Sequence, residues 1–197
     1  MMRTVRLSRY DNSTYHPGRP LATQILWYAV GLPLLRSAWL PFSRVRCWLL
    51  RTFGARIGSG VVCRPGMRVK YPWRLVVGDH SWIGEDCWID NVADVTIGRD
   101  CCLSQGSYVC TGNHDWSDEA FALTAQEVRV EDGCWVGARA TLLPGVTLHT
   151  GAIAAAGSVI SRSIPAQEIH AGNPARFVRQ RIMRGDEIAR WPREVTG

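Results

Sequence analysis

The chain has 197 residues, 46% of them hydrophobic, which is the size and composition of one domain able to fill its own core. Its net charge of +6 is lopsided: residues 1–56 carry nine Arg against a single acid, Asp11, whereas residues 57–197 are slightly acidic. Seven cysteines with no C-x-x-C pair argue against a disulfide framework and for a reducing compartment, and a basic end rich in Leu, Trp and Pro rather than Lys and Gly argues against a nucleic-acid partner.

Residues 1–53 read as a basic, aromatic-rich arm. From Leu21 to Phe53 it sets Trp27, Tyr28, Trp39, Phe42, Trp48 and Leu49 among Arg36, Arg44, Arg46 and Arg51. Gly31, Pro33, Arg36 and Pro41 interrupt the run before the ~20 clean apolar residues of a membrane span accumulate. Leu21 to Leu35 is followed by Arg36 and lacks a small-x-small cleavage site, so it does not read as a signal peptide. Two roles fit the arm: capping the open end of the repeat-containing body and helping subunits assemble, or lying in a headgroup layer, as Arg-rich amphipathic segments do.

Residues 54–165 repeat. Ile57-Gly58, Val77-Gly78 and Ile97-Gly98 recur twenty positions apart, and an apolar residue or Cys falls every sixth position between them, at Cys63, Val69, Ile83, Ile89, Leu103 and Val109. The beat resumes at Val130, Val136, Leu142, Leu148, Ala154 and Ile160. Four residues after each beat comes a second one, mostly small or β-branched, including Ser81, Cys87, Cys101, Ser107, Cys134, Ala140, Ala152 and Ser158. Large and small inward residues on short strands suit a narrow solenoid, three strands to a triangular turn. About five such turns at ~4.8 Å each give a prism roughly 24 Å tall. Cys63, Cys87, Cys101 and Cys134 fall on inward positions and read as core fillers.

This pattern resembles that of the hexapeptide-repeat acyltransferases, over about residues 54 to 182. The resemblance implies an all-β solenoid, a left-handed parallel β-helix assembled as a homotrimer, that uses acetyl-CoA and no metal. Handedness comes from the resemblance alone. Arg64-Pro65-Gly66, Tyr71-Pro72-Trp73-Arg74, the stretch Trp82 to Asn91, Leu103-Ser104-Gln105-Gly106 and the Trp-containing arm are similar to colanic-acid-type exopolysaccharide O-acetyltransferases. That likeness implies acetyl transfer to a sugar hydroxyl by a cytoplasmic protein, and it would suit a carbohydrate acceptor carried on a lipid and met at the inner membrane through residues 21–53; the alternatives are another acyl acceptor, such as a serine, an antibiotic or an amino sugar, or a non-catalytic trimeric scaffold.

The beat breaks between Val109 and Val130, and residues 115–127 form an inserted loop outside any coil. Long excursions from a tight solenoid carry function. At the threshold stands Thr111-Gly112-Asn113-His114-Asp115-Trp116, and the family places its catalytic base at the position of His114. A sugar hydroxyl is a poor nucleophile near neutral pH, and an imidazole of ordinary pKa ~6.5 can take its proton as the oxygen attacks a thioester. Asp115 or another carboxylate is expected to hold the imidazole tautomer. A covalent route through Cys110 is an alternative. A three-His zinc site is excluded because Glu119 occupies the position of the third His.

The resemblance further implies a donor track along Val136-Gly137-Ala138, Ala154-Ala155-Ala156-Gly157-Ser158 and Gly172-Asn173-Pro174-Ala175-Arg176. It marks Ser104, Trp135, Ala138 and Ala156 as cofactor contacts, with Ser161, Arg162, Arg176 and Arg179 at the amide and phosphate end. Ala138 stands where many relatives have Ser, and Ala155 replaces a common Gly. Asp90 and Asn91, one coil below Ser104, are expected to meet the acceptor's hydroxyls together with Asp115 and Trp116. Residues 166–197 read as a C-terminal segment in which Phe177, Val178, Ile182, Ile188 and Trp191 belong to a short helix folded back on the solenoid.

Overall fold

The computed structural model describes residues 4–40 and 42–184. Its body is a three-sided prism of parallel β-sheets. The first face stacks Arg56–Ile57, Leu75–Val77, Val95–Ile97, Val128–Val130 and Thr147–Leu148; the third stacks Arg68–Val69, Trp88–Asp90, Tyr108–Cys110, Thr141–Leu142 and Val159–Ile160. The second runs from Val62–Cys63 through Trp82–Ile83, Cys102–Leu103, Trp135–Val136 and Ile153–Ala154 to Glu168–Gly172 and Ala175–Gln180. Five complete turns are followed by a partial sixth, in which Ile164 bridges Leu148 and Glu168–Gly172 pairs with Ile153–Ala154.

The six-residue beat is the core. Cys63, Ile83, Leu103, Val136 and Ala154 stand one above the other in register on the second face, each buried. Val69, Ile89, Val109, Leu142 and Ile160 do the same on the third. The smaller second beat has a specific job, because a buried hydroxyl or thiol needs a partner. Ser81 Oγ donates to the Gly98 carbonyl at 2.7 Å, Cys87 Sγ to Ser104 at 3.0 Å, Cys101 Sγ to Glu131 at 3.0 Å and Cys134 Sγ to His149 at 3.1 Å. These bonds tie one coil to the next, and all seven cysteines are free. The glycines that follow Ile57, Val77 and Ile97 are required by close stacking: a Cβ on Gly78 would lie 2.6 Å from the Gly98 carbonyl carbon.

The arm caps the first coil. Leu21–Leu26 is α-helical, passes through a π-helical turn at Trp27–Gly31 and resumes at Leu32–Arg36; a second helix lies at Ser43–Thr52. Trp27, Gly31 and Leu35, four residues apart, make the buried stripe of the first segment, as helical spacing demands. Trp27 donates its indole N–H to the Val69 carbonyl at 3.1 Å and packs on Phe53. From the second helix Cys47, Leu49 and Leu50 join the core, while the buried Arg46 guanidinium donates to the carbonyls of Leu35 and Ser37. Outside this seam the arm leaves Leu21, Ile25, Leu26, Val30, Leu34, Trp39, Phe42 and Trp48 exposed.

One expectation is corrected. Phe177 and Val178 lie in the strand Ala175–Gln180, antiparallel to Glu168–Gly172, rather than in a helix; Ile188 and Trp191 lie outside the described residues. The inserted loop has secondary structure of its own. Gly112–His114 pairs antiparallel with Leu123–Ala125, so the excursion is a β-hairpin that leaves the third face and returns to the first.

Candidate active site

His114 ends the outgoing strand of that hairpin, opposite Leu123. Its Nδ1 lies 2.9 Å from the Phe121 carbonyl oxygen. A carbonyl only accepts, so Nδ1 carries the hydrogen and Nε2 holds the free lone pair. Phe121 presents that carbonyl from a left-handed backbone conformation, φ 51°, and its ring stacks on the imidazole at 4.3 Å and 3°. The ring is thus fixed in both orientation and tautomer by one residue. None of this is visible in the sequence, because a backbone carbonyl has no side-chain signature.

Asp115 does not orient the imidazole. Its carboxylate accepts from the Ser117 hydroxyl and the Ser117 N–H, the hydroxyl bond being the main cause of a pKa below the ordinary carboxylate range. The two contacts shape the hairpin tip, as Asx turns do. Trp116 projects from the same tip and is 81% exposed. Cys110, the alternative nucleophile, spends its thiol on the Gly112 carbonyl at 3.1 Å.

Asn91 is also corrected. It is fully buried, its amide accepting from Tyr71 N–H at 2.9 Å and donating to the Tyr71 carbonyl at 2.7 Å. Both ends of the amide are spent on locking one corner to the next. Asp90 stays at the outer edge of the third face, one turn below Cys110. Lys70 Nζ is 3.0 Å from its Oδ1, and Tyr108 donates to Oδ2 at 3.2 Å. Burial, more than these partners, keeps the Tyr108 phenol protonated well above its ordinary range.

The expected donor track gathers into a groove of 500 Å³ on the second face, lined by Ser104, Gln105, Trp135, Gly137, Ala138, Ile153, Ala154, Ala155, Ala156, Ile169 and Arg179. Five residues marked from sequence (Ser104, Trp135, Ala138, Ala156 and Arg179) therefore meet in one place. Ser104 and Trp135 also bond each other, the indole N–H donating to Oγ at 2.8 Å. A neighbouring 660 Å³ cavity shares Ile153, Ile169 and Arg179 and adds Val178, Gln180, Arg181 and Ile182. Ser161, Arg162 and Arg176 line neither cavity; Arg176 bonds its neighbour's carbonyl, that of Ala175.

His114 and the groove are apart on one chain. The groove belongs to the second face and the corner after it, while the hairpin leaves the corner between the third face and the first. Among the described residues His114 has ring contacts with Tyr10 and Phe121 and none with a groove residue.

A third component was not anticipated. Residues 4–17 run along the prism edge from which the hairpin springs. Arg6 Nε and Arg9 Nη1 lie 2.7 and 3.0 Å from the Glu119 carboxylate, and Arg6 N–H donates to the Glu119 carbonyl at 2.8 Å. Tyr15 Oη donates to the Val92 carbonyl at 2.9 Å, and Trp73 and Arg74 hold the Pro17 and His16 carbonyls at 2.6 Å each.

Comparison with known proteins agrees with this geometry. The family described as hexapeptide repeat of succinyl-transferase matches residues 127–162. "Putative colanic acid biosynthesis acetyltransferase WcaF" of Escherichia coli (strain K12) is 39% identical over 159 residues, covering 80% of this chain and 86% of that one. Among solved structures, the hexapeptide-repeat acetyltransferase VCA0836 of Vibrio cholerae, complexed with acetyl-coenzyme A, superposes with a TM-score of 0.73 at 22% identity, covering 81% of this chain and 87% of that one. A galactoside acetyltransferase in complex with coenzyme A gives 0.72 at 19%, covering 81% and 82%. The shared architecture is the left-handed parallel β-helix.

Proposed function

The chain belongs to the hexapeptide-repeat acetyltransferase family, and from that premise we propose that it moves the acetyl group of acetyl-CoA directly to a sugar hydroxyl, with His114 as general base. The observation that carries this reading is the Nδ1 bond to the Phe121 carbonyl, which leaves Nε2 without a partner among the described residues. As the hydroxyl oxygen attacks the thioester carbon, Nε2 takes its proton; when the tetrahedral adduct expels the sulfur, the imidazolium returns that proton to it. The Phe121 carbonyl steadies the ring while it is charged. Donor and acceptor are held together, so no acyl-enzyme is needed, in keeping with the engaged thiol of Cys110.

The groove at Ala138 and Ala156 suits the narrow pantetheine arm, since its small side chains leave a shallow apolar channel, and Arg179 in its lining suits a phosphate. Because base and groove sit on different parts of one prism, a complete site calls for the hairpin of one copy beside the groove of the next. A ring of three copies, each interface the same, meets that need. The likeness to the Escherichia coli protein supports a polysaccharide acceptor. Acceptor-dependent release of CoA thiol from acetyl-CoA, across a panel of sugars, sugar nucleotides and lipid-linked oligosaccharides, is the test. Release with none of them would sink the reading.

A cytoplasmic enzyme working on lipid-linked sugar needs to meet the membrane, and the arm is suited to it. Trp39 is 94% exposed, with Phe42 and Trp48 also outward beside Arg36, Arg44 and Arg51; no helix among the described residues is long and apolar enough to cross. Aromatic and Arg side chains of this kind sit at headgroup depth. The protein is expected to co-sediment with phosphatidylglycerol vesicles but weakly with phosphatidylcholine, and Trp39→Ser with Phe42→Ser to lose most of the binding. Equal sedimentation of native and double variant would remove the arm from the membrane.

A further inference from the structure

The proposed reaction leaves the segment before the helices without a task, yet that segment lies against the base. We propose that residues 4–17 form a strap that makes one wall of the acceptor site, with Tyr10 as the surface against which a sugar ring is held and Glu119 as the latch that closes it. The proposal rests on the reading of His114 as the base.

The strap runs along one edge of the prism. Trp73 and Arg74 hold its end at the first corner of that edge, Val92 holds Tyr15 at the next, and Glu119 on the hairpin holds Arg6 and Arg9 at the third. Val92 also lies under the root of the hairpin, packed so close to Gly112 that a Cβ there would sit 2.9 Å from it. Between these anchors the Tyr10 ring stands 5.8 Å from the imidazole, tilted by 59°. Phe121 already stacks on that imidazole and fixes it, so Tyr10 is not needed to position it. Tyr10 is 40% exposed, which leaves part of its ring for a ligand. An aromatic ring beside a base is suited to a pyranose: the apolar C–H face packs on the ring while a hydroxyl turns toward Nε2. The strap and hairpin tip also enclose a 350 Å³ cavity lined by Thr4, Val5, Trp116, Ser117, Asp118 and Glu119, so the two act as one wall.

The latch is built to open. The Arg6 and Arg9 side chains are more than half exposed, 59% and 57%, and exposed ion pairs hold weakly and are screened by salt. An acceptor can therefore enter by displacing the strap and be covered when it closes.

The experiment compares native protein with Tyr10→Ala, Tyr10→Phe and Glu119→Gln in two readouts. The first is the rate at which diethylpyrocarbonate modifies His114, monitored by peptide mass spectrometry, which requires no acceptor. Glu119→Gln, Tyr10→Ala and raised salt are each expected to speed it. The second is steady-state kinetics with whichever sugar supports thiol release: Tyr10→Ala raises the acceptor KM by roughly two- to tenfold, as loss of one aromatic contact does, leaves the acetyl-CoA KM unchanged, and is largely rescued in Tyr10→Phe. Unchanged modification rates in all variants overturn the strap, and an unchanged acceptor KM in an active enzyme overturns its role as an acceptor wall. If the native protein releases thiol with no sugar, the catalytic reading falls instead. Modification then decides the strap alone, a faster rate in the variants supporting cover over His114 and an equal rate overturning it.

Discussion

His114→Ala is expected to lower acceptor-dependent thiol release by ~10² to 10⁴, the usual contribution of a general base, while acetyl-CoA binding and the melting temperature stay as in the native protein. The separation comes from location. His114 sits on a hairpin outside the prism core, so removing its ring leaves every inward stack intact, and the groove that suits the donor lies on another face. What is lost is a tautomer held by Phe121 and the path for one proton. Calorimetric titration with acetyl-CoA beside the rate assay checks both halves. A variant with full activity would mean that another group takes the proton; a variant that also fails to bind the donor would mean that hairpin and groove are not independent.

Ala138→Trp is expected to raise the acetyl-CoA KM by at least about tenfold, since it fills a channel that small side chains leave open and the lost contact and desolvation fall on ground state and transition state alike. The more decisive result comes from combining the two variants. If the site is shared between copies, a refolded equal mixture of His114→Ala and Ala138→Trp rebuilds interfaces in which an intact His114 faces an intact groove. In a cyclic assembly with random mixing about a quarter of the interfaces are whole, so at acetyl-CoA concentrations well below the KM of Ala138→Trp, where that variant keeps at most about a tenth of native activity, about a quarter of native activity should return. No recovery in a mixture shown to co-assemble would place base and groove on the same chain and sink the inter-subunit site.

The prism was legible because its period is dictated by one steric rule. Every residue on the six-residue beat from Ile57 to Ile160 is buried, and the four-residue offset found the slots whose hydroxyls and thiols tie the coils. The residues that line the groove proposed for the donor were marked only through resemblance, since Ala138 and Ala156 carry no chemistry to read; what they offer is the space they leave. The C-terminal strands were misread because Phe177 and Val178 form an adjacent apolar pair between Arg176 and Arg179, a run too short to separate a helical period from a strand's. Asn91 was misplaced because corner Asx residues usually face out, whereas here the amide turns in to pair with Tyr71. The strap had no signal at all: it is polar and aperiodic, and nothing in Arg6 or Arg9 names Glu119 as partner.

The hairpin departs after Cys110 and the chain rejoins the first face with Val128 opposite Val95 and Val130 opposite Ile97, in the same register that Leu75 to Val77 keeps with that strand from below. The stack is thus indifferent to how many residues the detour contains. Such a detour can lengthen, shorten or be exchanged during evolution without retuning the column that supports it. On the proposed assignment of acceptor to hairpin and donor to groove, substrate preference and donor preference are then inherited separately: one as a replaceable fitting at a corner, the other as part of the wall itself.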